Sequence, residues 1–116
     1  MNHFVAFIEE KVKLLQQEEQ ELAASDRKDE ANLMKIRINV YGICRTVYEV
    51  YAKTKAGTVL KQAYLEKLET LSHSWKVSME KAKEYGDMEK AVVEEIKLQP
   101  LEEVRIKYME LKEDGV

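Results

Sequence analysis

The stretch "INVYGICRTVYEVYAK", residues 38–53, decides the fold that this sequence predicts. Three tyrosines, a cysteine and an arginine stand there among valines and isoleucines. On a helical wheel, the apolar side chains of the longer segment 27–56 cover about two-thirds of the circumference. The apolar stripe of a surface helix is only a little wider than ~100°. We therefore predict that this segment is a central helix, covered by two or more neighbouring helices.

The rest of the chain contains few residues that interrupt helices. Among 116 residues there are four glycines and one proline, while 35% are Asp, Glu, Lys or Arg. An all-β fold needs frequent turns, which are rich in glycine and proline. A chain of this length can build one hydrophobic core. We therefore predict an all-α protein with a single helical-bundle domain over residues 1–116.

Local signals predict an antiparallel bundle of three long helices, over residues 2–24, 27–56 and 58–85. Asn2 is a candidate N-cap for the first helix. Gly57 and Gly86 are candidate C-terminal glycines for the second and third. In the third helix, apolar residues recur in steps of three and four from Leu60 to Tyr85. This coiled-coil-like spacing predicts a buried seam and a shallow packing angle.

The C-terminal residues predict a helical segment that is broken near Pro100. Asp87 is a candidate N-cap, and the apolar pattern that follows it continues to Leu98. Proline fits the first turn of a helix, where its missing N–H costs nothing. A last helix is therefore predicted to begin at Pro100. Inspection of the sequence shows no repeat of long period.

Charge and cysteine content narrow the functional classes. The net charge is −3, but residues 25–57 carry seven Lys or Arg against four Asp or Glu. An acidic chain of this kind is not expected to bind nucleic acid. No apolar run approaches the ~20 residues of a membrane span, so no membrane association is predicted. Cys44 is the only cysteine, which excludes an intrachain disulfide and favours a cytoplasmic location.

No catalytic, cofactor or metal site is predicted. Two histidines and one cysteine are a poor source of zinc ligands, which normally number three or four. His73 lies on the wheel opposite the apolar seam and is predicted to be exposed, so it does not face Cys44 as a base would. We therefore predict that the protein is not an enzyme.

The central helix carries one candidate ligand or partner face. Its members are the polar and aromatic residues of the segment, namely Arg37, Tyr41, Cys44, Arg45, Tyr48 and Tyr51. The structural interpretation is a helix interior in which tyrosine rings are buried with their hydroxyls at a wet edge, and Cys44 is an inert buried thiol. The alternative is a small anionic ligand held by the two arginines and the hydroxyls of Tyr41 and Tyr48.

The predicted function is association with proteins. The central helix offers more apolar surface than two neighbours cover, and uncovered apolar patches indicate partners. We predict a non-catalytic protein that acts by protein–protein interaction or by self-association as a homodimer. The alternative is a small-molecule or anion-binding module that uses the Arg/Tyr face of the central helix.

Overall fold

The structure, a computed structural model, describes residues 2–111 and folds them into four helices. They are α1 (His3–Ala24), α2 (Lys28–Ala52), α3 (Gly57–Glu84) and α4 (Met88–Glu110). Residues 2–111 contain no strand. The prediction of an all-α fold is therefore confirmed.

Three of the predicted helix ends are confirmed by their hydrogen bonds. The Asn2 side chain accepts bonds of 3.0 and 3.1 Å from the first N–H groups of α1. The Asp87 side chain accepts one of 3.1 Å from the N–H of Lys90. Gly86 follows α3 with a φ of +76°, a left-handed conformation that glycine adopts without steric cost. Each bond or conformation satisfies backbone groups that a helix end leaves without partners.

The helix α2 is shorter than the sequence predicts. It ends at Ala52 rather than Ala56, and Gly57 is the first residue of α3 rather than the residue that ends α2. The N–H groups of Thr54 and Lys55 bond back to the carbonyl of Tyr51, at 3.2 and 3.0 Å. Residues 53–56 are needed to reverse the chain direction, and Gly57, with a φ of +56°, completes that turn.

The four helices form two hairpins that pack through α2 and α4. The helices α1 and α2 form the first hairpin, and α3 and α4 form the second. Hydrogen bonds join Arg37 to Gln99 and Tyr41 to Glu103, and both pairs are 62 residues apart. A constant separation means that α2 and α4 run parallel. The three-helix antiparallel bundle is thus not confirmed, because the C-terminal residues form a full fourth helix that shares the central position with α2.

The two hairpins are structural repeats of each other, 60 residues apart. All eight buried residues between positions 2 and 51 have a buried counterpart 60 positions later. The pairs are Phe4/Tyr64, Ile8/Leu68, Ala31/Ala91, Met34/Glu94, Val40/Pro100, Tyr41/Leu101, Cys44/Val104 and Tyr48/Tyr108. Because equivalent side chains face a common core from parallel helices, the hairpins are related by an approximate two-fold axis along the bundle.

The turns of the two hairpins follow the same repeat. Asp26 and Gly86 both have positive φ angles, of 59° and 76°. After each of them, the chain bonds back to the carbonyl five residues earlier, at 2.9 Å from Arg27 and 2.8 Å from Asp87. This six-to-one bond is the Schellman pattern of helix C-termini. The repeat therefore extends from the core into the connections.

The predicted break at Pro100 is not confirmed, because α4 continues through this residue. Proline lacks the N–H that would bond to the carbonyl of Ile96, and its ring crowds that carbonyl. The same helix buries Leu101, Val104 and Tyr108, all at most 2% exposed, beyond the proline. Packing of these side chains against the first hairpin holds the helix together across a position that local propensity disfavours.

We expect Pro100→Val to raise the free energy of unfolding by about 1–3 kcal/mol. In a helix interior, proline costs about 3 kcal/mol relative to alanine, whereas valine costs only a few tenths of a kcal/mol relative to alanine. Valine is the natural choice because Val40 fills the equivalent position of α2 with 1% exposure. Urea unfolding measures the change. The reciprocal variant Val40→Pro should lose about 3 kcal/mol or more. A loss of stability in Pro100→Val would show that the proline ring is required by the packing.

Candidate functional site

The structure does not bring the six residues of the predicted face together. Cys44 and Tyr48 lie in the core. On the bundle surface, Arg45 forms an ion pair and Tyr51 contacts a lysine through its ring. Arg37 and Tyr41 line a notch between helices. A single face on α2 is divided in this way because α1, α3 and α4 each cover a different side of it.

Cys44 and Tyr48 belong to the core around a cluster of four aromatic rings. The rings of Phe4, Tyr48, Tyr64 and Tyr108, hereafter the aromatic cluster, meet edge to face with centroids 4.9–6.0 Å apart. Such contacts add to the energy of burial. The Tyr64 hydroxyl donates a hydrogen bond of 2.7 Å to the Cys44 carbonyl, and the Asn2 amide donates one of 2.9 Å to the Tyr48 hydroxyl.

Ionisation of the buried thiol and phenols is suppressed. Cys44 is fully buried, and burial raises the pKa of its thiol to about 12. Burial also raises the pKa of Tyr108 to about 12 and that of Tyr64 further. A neutral, inaccessible thiol is neither a nucleophile nor a metal ligand. The prediction that Cys44 is buried is confirmed, and His73 is exposed as predicted.

Arg45 and Tyr51 make contacts that stabilise the bundle locally. The Arg45 guanidinium lies 2.9 Å from a carboxylate oxygen of Glu9 on α1 and 3.2 Å from one of Glu49 on its own helix. The half-buried ring of Tyr51 has the Lys55 ammonium 5.3 Å from its centre. Both side chains therefore already have partners within the chain, and neither lines the notch that contains Arg37 and Tyr41.

Arg37 and Tyr41 line a notch between α1, α2 and α4. The notch has a volume of about 180 Å³. Its lining consists of Lys11, Leu14 and Leu15 from α1, Arg37 and Tyr41 from α2, and Gln99, Pro100 and Glu103 from α4. The lining therefore combines apolar side chains from α1 and α4 with two cations and one carboxylate.

The polar groups of the notch are linked to one another, with one exception. The Tyr41 hydroxyl donates a hydrogen bond of 2.5 Å to Glu103, and burial with this bond raises the pKa of Tyr41. The Lys11 ammonium lies 3.8 Å from the same carboxylate. The Nη2 of Arg37 donates to the Gln99 side-chain oxygen at 3.2 Å. The Nε of Arg37 is enclosed and has no hydrogen-bond partner in the described part of the chain.

Sequence reasoning missed the residues that α1 and α4 contribute to this notch, which are Lys11, Gln99 and Glu103. They lie 26 to 66 positions from Arg37 and Tyr41 in the chain, so no short motif unites them. The 60-residue repeat, which becomes visible only in the folded structure, aligns Leu15 of the wall with the larger Trp75 and so marks this notch as the more open of two equivalent places.

The outer side of α2 carries a second feature, an exposed strip without charge. We call the following residues the α2 strip: Asn39, Gly42, Ile43, Thr46, Val47 and Val50. Ile43 is 40% exposed and Val50 52% exposed, although the wheel predicts that both are covered. The equivalent residues of α4 include Glu102, Glu103, Lys107 and Glu110. Between positions 39 and 50 this side of α2 therefore carries no charge, whereas the equivalent stretch of α4 is charged; Lys35 and Lys53 lie on the same side of α2 just beyond the strip.

The tip of the second hairpin carries a third feature, a small apolar patch. Tyr85, Met88 and Val92, hereafter the tip patch, are all exposed, and Tyr85 is 82% exposed. The sequence predicts that Tyr85 ends the buried seam of α3, and this is wrong because the helix ends at Glu84. The equivalent residues of the first hairpin are Ser25, Lys28 and Asn32, which are polar.

Within residues 2–111 no three His, Cys, Asp or Glu side chains are placed to hold a metal ion. None of the four described helices combines the length and the apolar character that crossing a membrane demands. The notch, the α2 strip and the tip patch are three features of the described chain that offer binding chemistry, and a cavity of about 370 Å³ between α1 and α2, lined in part by Glu9, Lys13 and Arg45, is a fourth. In comparisons with known proteins, no family model, no curated protein and no solved structure matches this chain.

Proposed function

We propose that this is a non-catalytic binding protein that self-associates as a homodimer through the α2 strip. The observation that carries the proposal is that a central helix of the bundle leaves one uncharged side exposed. Burying apolar surface such as that of Ile43 and Val50 is favourable by roughly 25 cal/mol per Å². Within the described chain these two side chains leave 40% and 52% of their surface exposed.

The spacing of the strip suits contact with another helix. Its members Asn39, Ile43, Thr46 and Val50 are separated by steps of four, three and four, the spacing of a coiled-coil seam. At Gly42 an added Cβ would meet no atom within 4 Å, so this point of the surface is open. A partner helix can therefore approach the backbone of α2 closely there.

A second copy of the chain is the partner that the chemistry of the strip favours. A strip without charge can pack against a copy of itself, because no like charges meet and no unpaired charge is buried at the contact. Small oligomers are mostly two-fold dimers in which one patch meets the same patch. A partner selected by charge would instead be expected to meet a charged side, such as the equivalent side of α4 with Glu103, Lys107 and Glu110.

The repeat supplies variants that test this proposal without disturbing the fold. Ile43→Glu combined with Val50→Glu gives α2 the residue types that α4 carries at Glu103 and Glu110. Because the two charges would be buried between copies, we expect the dimer dissociation constant to rise about 100-fold or more. Sedimentation equilibrium measures this constant, and circular dichroism confirms that the helices remain.

The matched control acts on the tip patch. Tyr85→Ser combined with Met88→Lys gives the second hairpin the residue types of the first at Ser25 and Lys28. This variant should keep the dissociation constant of the unmodified protein. If the tip variant dissociates the dimer and the strip variant does not, the association surface is the tip patch and the proposal is wrong.

A further inference from the structure

We infer that the notch binds the carboxylate of a small organic acid with an apolar tail. The site is formed by Arg37 and Tyr41 of α2, with walls from α1 and α4. It is separate from the α2 strip, whose residues do not line it, so the inference does not depend on the proposed dimer.

Arg37 has hydrogen-bonding capacity that the fold does not use. A guanidinium has five N–H donors and never loses its charge. Within residues 2–111 the only acceptor bonded to Arg37 is the neutral side-chain oxygen of Gln99, and the enclosed Nε has no acceptor there. A buried donor without a partner is destabilising, and buried cations are normally paired. A small movement of the side chain toward an entering carboxylate would give the guanidinium a charged acceptor.

The equivalent place in the other hairpin is built differently. There Trp75 stands in place of Leu15, and Lys97 stands in place of Arg37. The Lys97 ammonium lies 5.0 Å from the centre of the Trp75 ring and 3.1 Å from a carboxylate oxygen of Glu94. The second hairpin therefore satisfies its cation with an indole ring and a carboxylate of its own. The first hairpin has an open volume and an unsatisfied cation at the same position.

The size and polarity of the notch define the class of ligand. A cavity of about 150 Å³ holds a benzene molecule, so the 180 Å³ of the notch suits an acid of about six carbons. Leu14, Leu15 and Pro100 provide an apolar wall for the tail. The carboxylate of Glu103, although engaged by Tyr41 and Lys11, remains a negative charge at the rim. One negative charge on the ligand is therefore favoured over two, and an apolar tail over none, which disfavours inorganic phosphate.

The test is a titration of the full chain with sodium hexanoate, followed by two-dimensional ¹H–¹⁵N NMR that includes the Arg37 Nε–H signal. We expect saturable one-to-one binding that shifts this signal and the amide signals of residues around the notch. Hexanol, which has the same tail without charge, and inorganic phosphate should each bind at least ten-fold more weakly. Equal binding of hexanol, equal binding of phosphate, or no saturable shift with hexanoate would each overturn the inference.

Three variants locate the binding within the notch. Leu15→Trp fills the space as Trp75 does in the other hairpin, and should abolish hexanoate binding. Arg37→Gln should weaken binding at least ten-fold, while Glu103→Gln, which removes the rim charge, should tighten it several-fold. The strip variant Ile43→Glu with Val50→Glu should bind hexanoate as the unmodified chain does. Binding that survives both Leu15→Trp and Arg37→Gln would place the ligand elsewhere and overturn the assignment.

Discussion

Replacing Tyr64 by alanine is expected to lower the free energy of unfolding by about 3–5 kcal/mol, the cost of truncating a large buried side chain. Tyr64 is fully buried, and its ring touches the other three members of the aromatic cluster. These rings come from all four helices, so the cavity left by the truncation would open where both hairpins meet. Urea unfolding followed by circular dichroism measures the loss.

Two further variants separate the contributions to this effect. Tyr64→Phe keeps the ring and removes only the hydroxyl that bonds to the Cys44 carbonyl, so it should cost about 1–2 kcal/mol. Phe4 shows that phenylalanine fits the equivalent position of α1. Tyr85→Ala, at an exposed tyrosine, should change stability by less than about 0.5 kcal/mol. If Tyr64→Ala cost as little as Tyr85→Ala, the four-helix core described above would be incorrect.

Cys44 is expected to react with a thiol reagent at least about a thousand-fold more slowly in the native protein than in the unfolded chain. The side chain is fully buried, so reaction requires opening of the structure, and a core site opens with a free energy near that of global unfolding. A stability of about 5 kcal/mol already corresponds to a factor above a thousand. Burial also raises the pKa of the thiol to about 12, so the closed structure itself offers almost no thiolate, which is the reactive form.

The variant Ser25→Cys supplies an internal control for this measurement. Position 25 lies in the exposed turn of the first hairpin, so a cysteine there should react at the rate of an unfolded chain. The variant should therefore show one fast and one slow thiol under native conditions, and two fast thiols in urea. Two fast thiols without urea would mean that Cys44 is accessible and that the core around it is open.

Local signals in the sequence predicted much of the fold. The helix-end roles of three residues involve only backbone groups a few positions away, so they do not depend on how the helices pack. These residues are Asn2, Gly86 and Asp87. The burial of Cys44 followed from the wide apolar arc of α2, which needed several neighbours. Pro100 was misjudged because its effect depends on packing by side chains further along α4, and a local rule does not include that packing.

The arrangement of the two hairpins could not be predicted in the same way. Between positions 2–51 and 62–111 only five pairs are identical, namely Glu9/Glu69, Ala31/Ala91, Ile36/Ile96, Arg45/Arg105 and Tyr48/Tyr108. What recurs after 60 residues is the set of buried positions rather than the residue types. Which positions are buried becomes visible only once the helices are assembled. The uncovered side of α2 was likewise hidden, since the wheel shows how much apolar surface Ile43 and Val50 offer but not which neighbour covers it.

The candidate site depends on the same long-range arrangement. Arg37 and Tyr41 were identified from their own helix, as two members of a larger face. The notch exists because α4 places Gln99 and Glu103 beside them, at a separation of 62 residues. Arg45 was assigned to the same face, but the partner that holds it is Glu9 on α1. Tertiary structure therefore decided which members of the face could act together.

The solution mass of the unmodified chain tests the proposed self-association most directly. Size-exclusion chromatography with light scattering at micromolar concentration should give twice the chain mass of 13.6 kDa. The mass should fall to that of one chain when Ile43 and Val50 are replaced by glutamate. A single-chain mass for the unmodified protein across this concentration range would contradict the proposal that the α2 strip joins two copies.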